Sequence, residues 1–187
     1  MNEDETTQTL SDKVLDRANV LRFGKPDERK AGDQRDWKEA PKAGQFISIN
    51  QWNSWKREPH NADSWQADVQ PWISSLNNGL NMVGRPFGYR VQDAIELYIA
   101  NYPNVEENDR YKLAFADQIE QKIIPKLRGL EIGEGNAVQC LQEVEKVIER
   151  LGDDELATAF TAARDESKGL GMFTWRGVTR KLSYTNA

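Results

Sequence analysis

Apolar residues recur three and four positions apart through most of the second half of this chain, the spacing that lines one face of an α-helix. Val69, Trp72, Ile73 and Leu76 predict a helix that Asp63 or Ser64 would cap and that the run Asn77, Asn78, Gly79 would stop. Val91, Ala94, Ile95 and Tyr98 share a face of the next, which Pro103 closes. Leu113, Ala116, Ile119 and Ile123 predict a helix from about Glu107 to Leu127, with Gly129 just beyond it. Pro125 should kink it or start a separate last turn, because proline removes a backbone donor. Val138, Leu141, Val144, Ile148 and Leu151 give a further helix, and Asp153 or Asp154 can cap a last one carrying Leu156, Phe160 and Ala163. Together these predict a small helical bundle. The closing run MFTWRGVTRKLSY mixes aromatic and basic residues and is assigned to no element.

The first half reads differently. LSDKVLDRA has the look of a helix and leads directly into a short apolar strand, NVLRF, with nothing upstream for it to pair with. From Gly24 to Gly44 the chain is almost entirely charged residues, glycine and proline, as in a solvated linker or long loop. Apolar residues return at QFISINQWNSW, where a short strand at Phe46–Ile49 is expected to lead into a helix carrying Trp52 and Trp55.

Composition narrows the chemistry. With 38% hydrophobic residues in 187, one modest core is affordable. No apolar run approaches the ~20 residues that span a bilayer, and the opening residues lack the basic-then-apolar order of a secretory signal. A cytoplasmic protein without membrane contact is expected. The 25 basic and 30 acidic residues leave a net charge of −5, which is not the basic surplus of a general nucleic-acid binder. The single cysteine, Cys140, lies at helical spacing and reads as a small buried residue. His60 is the only histidine, which argues against a histidine metal site or a serine–histidine triad. The acidic cluster NEDE near the start is read as solvated charge, so no metal site is assigned. There is no GxxxxGK[ST] phosphate loop, no GxGxxG and no CxxC pair.

The order of several segments nonetheless resembles a known family. MNEDETTQTLSDKVLDRANVLRF is similar to the stretch of AAA+ ATPases running from the sensor-1 strand through the arginine-finger helix to the last core strand, and GRPFGYRVQDAIELYI resembles the start of their lid. The combination of LSDKVLDRANV, FGYRV, QKIIPKLRG and a terminal FTWR is most similar to the McrB-like branch, the motor subunits of modification-dependent restriction systems. The resemblance implies a mainly α chain: a remnant of the AAA+ α/β core at residues 1–24, with one or two short strands and a helix, a polar linker or insertion at 25–64, and a helical lid-like domain at 65–187.

Such a chain would be the C-terminal part of a motor, with the phosphate loop and the acidic Mg²⁺-binding strand lying before Met1, and would not hydrolyse nucleotide alone. In an intact motor using ATP or GTP with Mg²⁺, the resemblance makes Asn2 the sensor-1 amide that orients water and Arg17 the arginine finger. Arg90 becomes sensor 2, with Arg85 as the competing choice. Its partners would be neighbouring AAA+ subunits and a McrC-like nuclease, with DNA engaged indirectly. Each residue also has an ordinary reading: Asn2 as a terminal polar residue, Arg17 as a cation at a helix end or paired with Asp12 or Asp16, Arg90 as a surface arginine. The alternative for the whole chain is a free-standing helical module without enzymatic activity. It would dock proteins through exposed tryptophans such as Trp37 and Trp52, or contact DNA through Arg176, Arg180 and Lys181.

Overall fold

The computed structural model of the chain describes residues 14, 17–19, 46–60, 63–133 and 135–178. Among the described residues, the α-helices α1 (Ile49–Trp55), α2 (Gln66–Met82), α3 (Tyr89–Ala100), α4 (Arg110–Gln118), α5 (Asn136–Leu151) and α6 (Asp154–Leu170) follow one another. Helix α4 runs without a break into a π-helical turn, Ile119–Ile123, and a 3-10 turn, Ile124–Leu127.

The apolar stripes of α2 to α6 converge on one continuous core. Trp65, Leu76, Ile95, Phe115, Ile119, Val144 and Phe160 are among its fully buried members. The centre of the bundle is the pairing of α2 with α5, which pack tightly at Gly79. A Cβ added there would lie 3.1 Å from the Glu143 Cβ and 3.7 Å from the Cys140 carbonyl oxygen. Gly79 therefore does not stop α2 as expected; the helix continues to Met82, and the missing side chain is what lets α5 come close. Neither Asp63 nor Ser64 caps α2 through its side chain. Asp63 instead accepts from the His60 N–H and from Arg57.

Pro125 sets the irregular end of α4. Having no N–H, it cannot continue the α-helical ladder, and the chain rewinds around it. The Ile124 N–H reaches back to the Ile119 carbonyl in the wide turn, and the Arg128 N–H then bonds the Pro125 carbonyl at 3.3 Å in the tight one. Asp153 rather than Asp154 caps α6, its carboxylate accepting from the Leu156 N–H at 2.9 Å. Val138 and Leu113, both placed on core faces by their spacing, are exposed.

The aromatic tail has a definite place. Residues 129–132 and 171–173 run antiparallel through three backbone hydrogen bonds: Gly129 N–H to Phe173 O, Ile132 N–H to Gly171 O, and Phe173 N–H to Leu130 O, at 2.7–3.0 Å. This pairing aims the alternate residues Phe173 and Trp175 at Phe160, with ring centroids 5.7 and 6.4 Å away, and Val178 is buried beyond them. The tail is an extended strap across the bundle.

The expected α/β remnant is corrected by this architecture. Among the described residues there is no β-strand, and the Glu131–Met172 bridge is the isolated pairing they contain. The strand expected at Phe46–Ile49 is absent: residues 46–48 form no regular element and Ser48 caps α1, its hydroxyl accepting from the Gln51 N–H at 3.1 Å. Of NVLRF, expected as the core strand, Asn19 forms no regular element and residues 20–23 lie outside the described residues.

Candidate functional site

Helix α1 stands apart energetically: none of its residues is buried. It is not loosely tethered, however. Immediately after it, the Asn101 side chain clamps the chain, accepting from the Arg57 N–H at 2.9 Å and donating to the Arg57 carbonyl at 2.8 Å. The same amide group caps α3 by donating to the Leu97 carbonyl. The Arg57 guanidinium bridges Asp63 and Glu106 at 2.6 and 3.0 Å, and Ser64 donates to the other oxygen of Glu106. One polar knot thus fixes where α1 leaves the bundle.

Between α1 and the bundle lies a groove of about 480 Å³. Trp52, Trp55, Lys56 and Glu58 line one side, and Ala94, Leu97, Tyr98 and Asn101 of α3 line the other. Trp52 and Trp55 remain 51% and 56% exposed and meet edge to face at 6.4 Å, while the Lys56 ammonium sits 5.9 Å from the Trp52 ring centre. The base of the groove is polar and sequestered. Gln118 is 1% and Lys122 7% exposed, and the Lys122 Nζ donates to the Ala18 carbonyl oxygen at 2.7 Å. Beside them the Tyr98 hydroxyl donates to Asp117 at 3.0 Å; burial first, and the neighbouring carboxylate second, push its pKa well above the ordinary phenol range.

Among the described residues singled out by sequence, Trp52 lines the groove. Asn2 lies outside the described residues. Arg17 is exposed, its backbone N–H closing a turn on the Val14 carbonyl. Arg90 is exposed on the first turn of α3. Arg85 is half-buried and donates to the carbonyls of Lys126 and Arg128, both at 2.7 Å, where it satisfies the end of the 3-10 turn. None of these three arginines lines the groove. Trp37, Arg180 and Lys181 lie outside the described residues, and Arg176 is ion-paired with Glu166 at 2.6 Å. Cys140 is buried as expected, and burial pushes its thiol up to about 11.

Sequence reasoning named Trp52 but missed Lys122 and Gln118. A signal for them exists: Gln118 and Lys122 fall three and seven residues after Phe115, on the same stripe as buried Ile119, so polar side chains occupy core-facing positions of an apolar helix face.

Residues 40–167, more than half of the chain, match the family model described as Domain of unknown function (DUF8727). The chain belongs to this family. The matched span of the DUF8727 domain contains α1 and both walls of the groove. No curated protein and no solved structure matches the chain.

The motor reading is corrected on the same observations. Among the described residues there is no strand of an AAA+ core and no group of three His, Cys, Asp or Glu residues arranged to hold a metal ion. The bundle closes on its own core, so the AAA+ NTPase function, the ring of AAA+ neighbours and the McrC-like nuclease partner have no structural basis. A turn leading into an amphipathic helix, as in GRPFGYRVQDAIELYI, recurs in bundles of many kinds; here Phe87, Val91 and Ile95 point into the domain's own core. No helix among the described residues is long and apolar enough to cross a membrane.

Proposed function

We propose that this DUF8727 domain is a protein-interaction module and that α1 carries its binding face. The observation that supports this reading most is that a seven-residue helix bearing two tryptophans buries none of its residues. Exposed Phe46, Ile47 and Ile49 extend the apolar surface beyond them. Single exposed apolar residues need no explanation, but a contiguous aromatic patch with a polar rim is the usual mark of a contact site. Tryptophan is enriched among the residues that dominate binding energy. The Asn101–Arg57 clamp serves the same end: it holds the face in one orientation, so less conformational freedom is lost when a partner docks.

The test is site-specific photocrosslinking in cells that produce the protein natively. A photoreactive residue replacing Gln51 or Ser54 on α1 is expected to yield a discrete adduct, and one replacing Glu155 on α6 none. The combined substitution Trp52→Ala and Trp55→Ala should abolish the adduct while the far-UV circular dichroism of the bundle stays as it was. An adduct that survives both substitutions would remove α1 from the binding face.

A further inference from the structure

We infer that a cleft between α5 and α6 binds a small amphipathic carboxylate, its apolar body against Ile132, Val138 and Leu141 and its head at Lys168 and Arg164. Among the described residues this cleft shares no lining residue with the groove beside α1, so the inference stands apart from the reading of α1 as a binding face.

The cleft has a volume of about 640 Å³, within the range that small-molecule sites occupy. Its walls are anchored in the fold. The Ile132 N–H bonds the Gly171 carbonyl at 2.8 Å, which ties one wall to the strap, and Leu141 is buried in the core of the bundle. Val138 marks the opening. Its spacing puts it on the apolar stripe of α5 with Leu141 and Val144, yet it is 38% exposed and lines the cleft. An apolar side chain on a packed helix face is thereby left without cover, which is the surface an apolar ligand would bury.

The polar side of the cleft selects the charge of its ligand. Arg164 and Lys168 lie one turn apart on α6 and line the cleft together with the Gln142 amide, whereas no carboxylate lines it among the described residues. The two cations differ. Arg164 is half-buried and held by Glu145, whose carboxylate also accepts from the Thr161 hydroxyl at 3.4 Å, so its guanidinium is fixed and its charge already offset. Lys168 pairs with Asp165 at 2.9 Å, but the two side chains are 66% and 54% exposed, and a pair so exposed contributes little and exchanges readily. Its ammonium can turn to an incoming anion, while Asp165 keeps water and the Arg164 guanidinium 3.6 Å away. One exchangeable positive charge beside an apolar wall suits a monoanion on a short alkyl or aryl body better than a dianionic phosphate.

The test titrates sodium octanoate into the isotope-labelled full chain and follows its amide resonances by heteronuclear NMR. Saturable shifts are expected at residues 132–142 and 164–168, with Kd below ~1 mM, an affinity that a ligand of this size reaches at ordinary efficiency per atom. Octanamide, the neutral isostere, should bind about fivefold more weakly or worse, the effect of losing a charge-assisted hydrogen bond. Lys168→Gln should weaken octanoate by about the same factor and leave octanamide unchanged, a split that a merely structural role would not produce. Val138→Glu, which sets a carboxylate in the apolar part of the cleft, should weaken both probes. Both substituted side chains are exposed, and unshifted core resonances report that each variant is folded. The inference is overturned by the absence of saturable shifts, by equal binding of octanoate and octanamide, or by inorganic phosphate binding as tightly as octanoate. Shifts centred on the Trp52 and Trp55 indoles in place of the cleft would overturn it as well, and would assign the apolar ligand to α1.

Discussion

Substituting Gly79 by alanine should invert the usual sign of a glycine-to-alanine change in a helix. Within α2 the substitution gains helix propensity worth ~1 kcal/mol, since glycine is disfavoured by about that amount in a helix interior. Against this stands the 3.1 Å separation from the Glu143 Cβ. That neighbour is the base of a side chain fixed to the α5 backbone, so relief requires the two helices to part by a few tenths of an ångström along their main contact. Overpacking of a tight core costs ~1–3 kcal/mol, which leaves Gly79→Ala neutral to about 2 kcal/mol destabilising. Gly79→Leu should cost about 3 kcal/mol or more on the same reasoning. Gly169 in α6 supplies the control, because a Cβ there meets nothing within 4 Å and Gly169→Ala should stabilise by ~0.5–1 kcal/mol. Urea unfolding followed by circular dichroism at constant m-value measures both. In addition, Glu143→Gly should soften the effect of Gly79→Ala, with a coupling of ~0.5 kcal/mol or more in a double-mutant cycle. Equal stabilisation by the two alanine substitutions would refute the close approach of α2 and α5.

Phe173→Ala should cost ~3–5 kcal/mol in the same assay, the range for deleting a fully buried phenyl ring, although Phe173 belongs to no helix. Arg85→Ala should cost about 1–2 kcal/mol, because two carbonyls at the end of the 3-10 turn lose a charged donor that is partly screened by solvent. The folded-state pKa of Cys140 lies above its unfolded value, so its contribution to stability is complete below about pH 9 and is lost as pH rises toward about 11. Thermal melts should show that decline, and Cys140→Ala should remove the cysteine's part of it.

The helices that build the core were legible in the sequence because each buries one stripe, and a stripe is a local pattern. What was hidden depends on partners distant along the chain. Gly79 carries the local signature of a stop, and only the position of α5 reveals it as a contact. Phe173 and Trp175 alternate with period two, yet the backbone that residues 171–173 pair with lies at residues 129–132, in an isolated bridge among the described residues. The groove was half visible: Trp52 was a candidate contact, while Lys122 was hidden by its resemblance to any surface lysine on a helix. The AAA+ resemblance rested on segments whose order a bundle can reproduce, since turns, amphipathic faces and flanking arginines arise in many helical folds for the same physical reasons.

The strap at residues 171–178 means that the folding unit is longer than the stretch by which the family is delimited. The family match ends at residue 167, but Phe160 inside it is covered by Phe173 and Trp175 outside it. A protease that severed the chain near Gly171 would therefore do more than trim an end. It would strip the cover from an aromatic cluster and leave the donors and acceptors of residues 129–132 unsatisfied, a surface prone to aggregation or further digestion. One cut there would act as a commitment to destruction, and the lifetime of the protein would be set by how seldom the strap lifts.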